Sequence, residues 1–189
     1  MEPLERTWRG VGEWEDGARA ATARWTTEKS AQAVYQPEVG QRRSGPVAGE
    51  IFPPWELSAE GIQIDSAALR GEVVILAFWA SWCEPCQEEL PELSALARRA
   101  ADEGLPIRVI AVSMDESPRD YGRGRARLDL EGITVARDPV LGQRLRVSGL
   151  PSTWLVAPDG TATRLFSGYR KGQVQELEIA ARALLTGQE

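Results

Sequence analysis

Cys83 and Cys86 are the chain's two cysteines and lie three residues apart in the run Trp82, Cys83, Glu84, Pro85, Cys86. On a first helical turn, residues at that spacing share a face, within the narrow separation a disulfide tolerates. The chemistry such a pair supports is thiol-disulfide exchange. Pro85 suits a first helical turn, where its missing N–H has no intrahelical partner to lose. Cys83 then stands at a helix N-terminus, where unpaired N–H groups and the macrodipole favour a thiolate. Cys83 is therefore the candidate nucleophile, and Cys86, one turn deeper, is the thiol that resolves a mixed disulfide. Glu84, between them, opposes the dipole by like-charge repulsion, and a less stabilised thiolate makes a more reducing couple. The expected direction is reduction of a partner's disulfide.

Other uses of a CxxC pair fit less well. Tetrahedral zinc needs further ligands, and the chain has no other Cys and no His. Haem attachment needs His directly after the second Cys, where Gln87 stands. A purely structural bridge would close a longer loop, since a loop this short restrains the unfolded chain little. No metal is expected. The absence of His also removes Ser-His and Cys-His nucleophile systems.

Composition narrows the partners. The 189 residues are 42% hydrophobic and carry a formal net charge of −6, as expected of one globular domain with an extension. A phosphate backbone would meet a repulsive average field, so nucleic acid is not an expected partner. The alternation Arg123, Arg125, Arg127 is followed by Asp129 and Glu131 and reads as a solvated face. The longest charge-free apolar run, residues 73–83, is too short to span a membrane, so no transmembrane segment is expected. Residues 1–10 carry Glu2, Glu5, Arg6 and Arg9 with no apolar h-region, so no secretory signal is legible.

The elements that must position the pair follow from hydrophobic patterning. Residues 73–80 are apolar on both faces, as in the middle strand of a sheet covered on both sides. Residues 85–101 follow as a helix with Leu90, Leu93, Leu96, Ala97 and Ala100 on one side. A second buried strand is expected at 106–113, and a strand–helix–strand connection of this length implies parallel pairing. Ser117 and Pro118 open a helix, 133–136 form a short strand, and 139–147 form a helix. Strands at 154–157 and 161–166 flank the turn Pro158, Asp159, Gly160, and a helix at 172–185 ends the domain. Upstream, 55–57 and 62–64 pair around a turn, and 65–70 form one helical turn. The class is α/β, with a domain over 50–189. Residues 1–49 form an extension and linker that holds Trp8, Trp14 and Trp25, a loose helical pattern over 15–35, and a Pro- and Gly-rich stretch at 36–49.

Three features occur together: an apolar strand ending Phe78, Trp79, Ala80, Ser81, Trp82; CxxC on a helix; and a late hairpin entered through Gly149, Leu150, Pro151, Ser152, Thr153. This combination resembles the thioredoxin superfamily over residues 51–185. Glu84, Pro85 and the following Gln87, Glu88, Glu89, Leu90, Pro91, with the extra segment 115–137, resemble its TlpA/ResA-type thiol-disulfide oxidoreductases. The resemblance implies a three-layer fold, a central mixed sheet with helices on both faces, and no cofactor beyond a redox-active Cys83–Cys86 disulfide. It implies that Pro151 is the cis-proline facing the pair. That proline exposes the backbone of Leu150, so that Leu150 and Trp82 border a shallow groove for an extended client segment. The buried Asp of thioredoxins proper is replaced by Ala77, and Glu89 matches the buried Glu of the ResA type, one turn beyond Cys86 and able to exchange a proton with it. The implied partners are a disulfide-containing client protein, apocytochrome c among them through cytochrome c biogenesis, and an upstream thiol donor. The subfamily is usually extracytoplasmic, with the cytoplasm as the alternative for a chain without a legible signal. Two other functions compete, a thioredoxin-fold binding module and a peroxiredoxin-like peroxidase. For the peroxidase, Ala80 stands where a Thr or Ser normally precedes the peroxidatic Cys by three residues.

Overall fold

The computed structural model describes residues 8–9, 13–14, 48–59 and 61–187. The chain divides into two compact units, Met1–Gln41 and Arg42–Glu189. In the first, β1 (Trp8–Arg9) pairs antiparallel with β2 (Glu13–Trp14). The helical pattern over 15–35, Trp25 and most of the 36–49 stretch lie outside the described residues.

Composition set the start of the domain at Glu50, and backbone pairing is already under way there. Gly49 N–H donates to the Ala162 carbonyl at 2.8 Å, Ala162 N–H to the Glu50 carbonyl at 2.8 Å, and Ile51 bridges Thr161. Next comes the hairpin of β3 (Glu56–Ala59) and β4 (Ile62–Asp65), then a 3-10 turn, Ser66–Leu69. Asp65 caps that turn by accepting from Ala67 N–H at 2.8 Å.

The central sheet contains β5 (Val73–Trp79), β6 (Ile107–Ser113), β7 (Thr134–Arg137), β8 (Ser152–Val156) and β9 (Ala162–Ser167) in the order β7-β6-β5-β8-β9. β5 takes the middle, parallel to β6 and antiparallel to β8, and every one of its residues is buried. The helices are α1 (Glu84–Asp102), α2 (Pro118–Arg125), α3 (Pro139–Arg144) and α4 (Gln173–Thr186). α3 ends three residues before the expected Val147. Arg146 adopts a left-handed φ of 54°, and Val147 N–H turns back to the Gly142 carbonyl at 2.9 Å.

Alternation along β5 sorts the core into two layers. Val73, Ile75, Ala77 and Trp79 face Leu90, Leu93 and Leu96 of α1 and Val174, Leu177 and Ala181 of α4. Val74, Leu76 and Phe78 face Leu141 and Leu145 together with Phe52, Trp55 and Leu57. Helices thus cover both faces, but the second is shared between short α3 and the segment 52–59. A six-residue helix, about 9 Å long, is too short to cover a five-stranded sheet alone. Of the arginine alternation, Arg123 and Arg127 are exposed and Arg125 is half-buried.

Candidate active site

β5 ends at Trp79, and a tight turn follows in which Cys83 N–H donates to the Ala80 carbonyl at 3.0 Å. Cys83 is the N-cap of α1, with extended backbone at φ −87° and ψ 100°, while Pro85 occupies the first turn. The expected helix start is met. Cys83 and Cys86 are joined in a disulfide with Cα atoms 5.3 Å apart. Cys83 keeps 4% of its surface and Cys86 none, so an incoming group reaches Cys83 first. Beside it Trp82 is 72% exposed, an unusual position for an indole unless it meets a partner. Glu84 and Pro85 are exposed on the same turn.

The Leu150–Pro151 bond is cis. Phe78 pairs with Ser152 in the β5–β8 ladder, which puts Pro151 at the end of the sheet from which the chain enters the Cys83 turn. Half-buried Leu150 packs against the cluster that contains both cysteines. The structure therefore gathers Trp82, Cys83, Cys86, Leu150 and Pro151 at one end of the sheet.

Glu89 is 1% exposed, whereas its neighbour Glu88 is exposed; the helical period separates the two. On α1, Glu89 lies three residues beyond Cys86, on the same face. Its Oε1 accepts from Thr153 Oγ1 at 2.9 Å and from Gln173 Nε2 at 3.3 Å, and Gln173 also donates to the Gly168 carbonyl at 2.9 Å. Burial pushes the Glu89 carboxyl up to about 7, against the lowering effect of the Thr153 and Gln173 hydrogen bonds, and the nearby Glu92 carboxylate adds to the rise. A carboxyl poised there both takes and returns a proton near neutrality. Thr153 is the direct register partner of Ala77. The acid anchored on the helix thus bonds the β8 residue directly opposite Ala77. A further pair lies beside it. Tyr169 OH donates to Glu92 Oε1 at 2.8 Å, and burial together with that bond pushes the phenol up to about 12.

No local motif assigns a role to Thr153, Gln173, Tyr169 or Glu92. Thr153 carried a signal, a polar residue opening an apolar strand. Gln173 carried none, because nothing local marks a glutamine at a helix start as buried. Among the described residues, no group of three His, Cys, Asp or Glu side chains is placed to hold a metal, and no helix is long and apolar enough to cross a membrane.

A disulfide at the start of the helix that leaves the middle strand, set beside a cis-proline on this mixed five-stranded sheet, defines a thioredoxin-fold redox site. The chain belongs to the AhpC/TSA family, whose model matches residues 48–164. It is similar to the thiol-disulfide oxidoreductase ResA of Bacillus subtilis (strain 168), with 28% identity over 115 residues, or 57% of this chain and 60% of the relative. ResA of Geobacillus thermodenitrificans is 28% identical over 148 residues, covering 77% of this chain and 76% of that protein. The match to the Bacillus subtilis relative thus spans less than two thirds of that protein's length. A solved structure from Chlorobium tepidum, assigned to the thiol:disulfide interchange protein DsbE, aligns with a TM-score of 0.64 and 29% identity over 70% of this chain and 94% of that one. The thioredoxin-superfamily, ResA-like resemblance of the motifs is met in family and in fold.

Proposed function

We propose that the chain is a thiol-disulfide oxidoreductase that reduces protein disulfides. The observation that carries this reading is the Cys83–Cys86 disulfide at the α1 N-terminus, with the less buried cysteine outermost and a buried carboxyl titrating near neutrality one turn beyond the inner one. In the reduced protein the Cys83 thiolate attacks one sulfur of a client disulfide. The client S–S bond breaks, one client thiolate leaves, and a Cys83–client mixed disulfide forms. Glu89 takes the proton of Cys86, whose thiolate then attacks the Cys83 sulfur. The second client thiolate leaves and receives a proton, and the Cys83–Cys86 disulfide closes. Two electrons have passed to the client, and an upstream thiol donor returns them. The reaction needs no cofactor beyond the pair.

Trp82 and Leu150 border the place where an extended client segment lies beside Pro151, adding a strand at the end of β8. The ResA and DsbE names of the relatives support exchange on protein disulfides, and the motif resemblance makes an apocytochrome c the client to try first. The direction of chemistry rests on Glu84 in the first turn and Glu89 beneath it, both unfavourable to thiolate.

The test equilibrates the pair against glutathione and thioredoxin couples. The expected potential lies near the thioredoxin range of about −270 mV, and one near the about −120 mV of strong oxidants would contradict a reductant. Steady peroxide turnover that depends on Cys83 would instead favour a peroxidase. Client binding that survives Cys83→Ser without any exchange would favour a binding module.

A further inference from the structure

The extra segment 115–137 takes no part in the exchange steps, yet its first residues converge on the turn that delivers Cys83. Asp115, 3% exposed, accepts three hydrogen bonds through its carboxyl oxygens. Ser81 N–H donates to Oδ2 at 2.9 Å, Ser81 Oγ to Oδ1 at 2.7 Å, and Ser113 Oγ to Oδ2 at 2.8 Å. Gln87 Nε2 holds the Ser81 carbonyl at 3.1 Å. The N–H, hydroxyl and carbonyl of Ser81 are therefore all bonded, in a residue that belongs to no strand or helix. Helix α2 packs against the same residue. A Cβ on Gly124 would lie 2.6 Å from Ser81 Cβ and 3.0 Å from Ser81 Cα, so this helix approaches the turn as closely as only glycine permits. The segment itself is held from β7, where Arg137 Nη1 donates to the carbonyls of Asp115 at 3.3 Å and Glu116 at 3.0 Å.

We propose that Asp115 is a positioning residue for the exchange reaction: with Gly124 it clamps Ser81, and so fixes where exposed Trp82 and the Cys83 sulfur stand when a client disulfide arrives. This inference rests on the oxidoreductase reading. Ser81 and Trp82 are the two central residues of the turn closed by the Ala80–Cys83 bond. Bonds to a buried carboxylate are stronger than neutral ones, and two of the three that Asp115 accepts come from this one residue. Attack on a disulfide is directional, so a clamp that holds the nucleophile's turn contributes to rate through orientation.

The experiment uses the full chain, reduced, with intact insulin as the protein disulfide. Asp115→Ala is expected to lower kcat/KM by roughly tenfold in protein that remains folded by circular dichroism. Asp115→Asn keeps an acceptor for the Ser81 N–H and an amide for its hydroxyl, so it is expected to return the rate to within about twofold of wild type. Gly124→Ala, whose added Cβ would press on Ser81, is expected to fall with Asp115→Ala. A folded Asp115→Ala protein at the wild-type rate would overturn the proposal, as would an asparagine variant no better than alanine. The two claims separate in a second reading, iodoacetamide alkylation of Cys83 in a Cys86→Ser background, which needs no client. There Asp115→Ala is expected to shift the rate about threefold and Asp115→Asn less than twofold. If wild-type protein reduces no insulin, the oxidoreductase reading fails, and the alkylation series still decides the clamp.

Discussion

The two faces of the central sheet are built from the same strands and do different things. Adjacent rungs of one ladder show it: Leu76 pairs with Trp154, and Ala77 pairs with Thr153. Leu76 and Trp154 look into a layer of apolar contacts, where the Trp154 ring meets Phe78 edge-on at 5.6 Å and Phe52 at 6.0 Å. Ala77 and Thr153 look toward α1, where a small side chain leaves room and a hydroxyl answers the Glu89 carboxyl. One step along a strand separates packing from chemistry. A buried acid is tolerated on the redox face because donors from β8 and α4 meet it, and its proton affinity rises because burial disfavours the charged form.

The comparison breaks first at the cysteines. Cys83→Ser or Cys86→Ser is expected to cut disulfide turnover by about a thousandfold or more while leaving the apolar face and the unfolding midpoint close to wild type. Trp154→Ala should do the reverse. It is expected to cost about 3–5 kcal/mol in urea unfolding, with Cys83 reactivity per folded molecule within about twofold of wild type. Loss of reactivity in a folded Trp154→Ala protein would mean that the faces are not independent.

Glu89 sharpens the contrast through pH. Its carboxyl titrates near 4.5 in an ordinary setting and at about 7 in the fold. Below the lower value both states hold the proton and nothing is lost. Between the two, only the unfolded chain ionises, so stability falls as pH rises, and above the upper value the loss is complete at about 3 kcal/mol. Glu89→Gln keeps an acceptor for Thr153 and Gln173. In the oxidised protein it is expected to match wild type near pH 4 and to exceed it by up to about 3 kcal/mol near pH 8. A difference that stays flat with pH would show Glu89 in water-like surroundings. Thr153→Val is expected to cost about 2 kcal/mol at pH 8, where it removes one of the two donors to a charged acceptor, and about 1 kcal/mol at pH 5, where Glu89 holds its proton. On the apolar face, the Trp154 indole N–H has no hydrogen-bond partner among the described residues. Trp154→Phe, which removes it, is therefore expected to cost under about 1.5 kcal/mol, far less than Trp154→Ala.

The redox face was legible in the sequence wherever its signals are local. A continuous apolar run marked β5 as central, CxxC with Pro85 placed the pair at a helix start, and the ResA-type resemblance singled out Glu89. What the sequence hid is what arrives from a distance. Thr153 and Gln173 meet Glu89 from 64 and 84 residues away, and Asp115 reaches Ser81 across 34. Such pairings follow from sheet order and helix placement rather than from neighbouring residues. The apolar face was obscured by its punctuation. Pro53 and Pro54 interrupt the apolar pattern, yet Phe52, Trp55 and Leu57 around them complete the layer that α3 is too short to cover. The early end of α3 had no glycine to announce it, since Arg146 takes the left-handed turn itself.

The most direct test of exchange at Cys83 is a trap. Reduced Cys86→Ser protein is mixed with a disulfide-bonded apocytochrome c and with insulin, quenched with acid, and analysed by mass spectrometry without reductant. The account predicts a one-to-one covalent adduct through Cys83, released by dithiothreitol and formed neither by Cys83→Ser nor, at steady state, by wild-type protein. Free Cys86→Ser protein with unreacted client, or an adduct that forms equally well through Cys86 in Cys83→Ser, would contradict it.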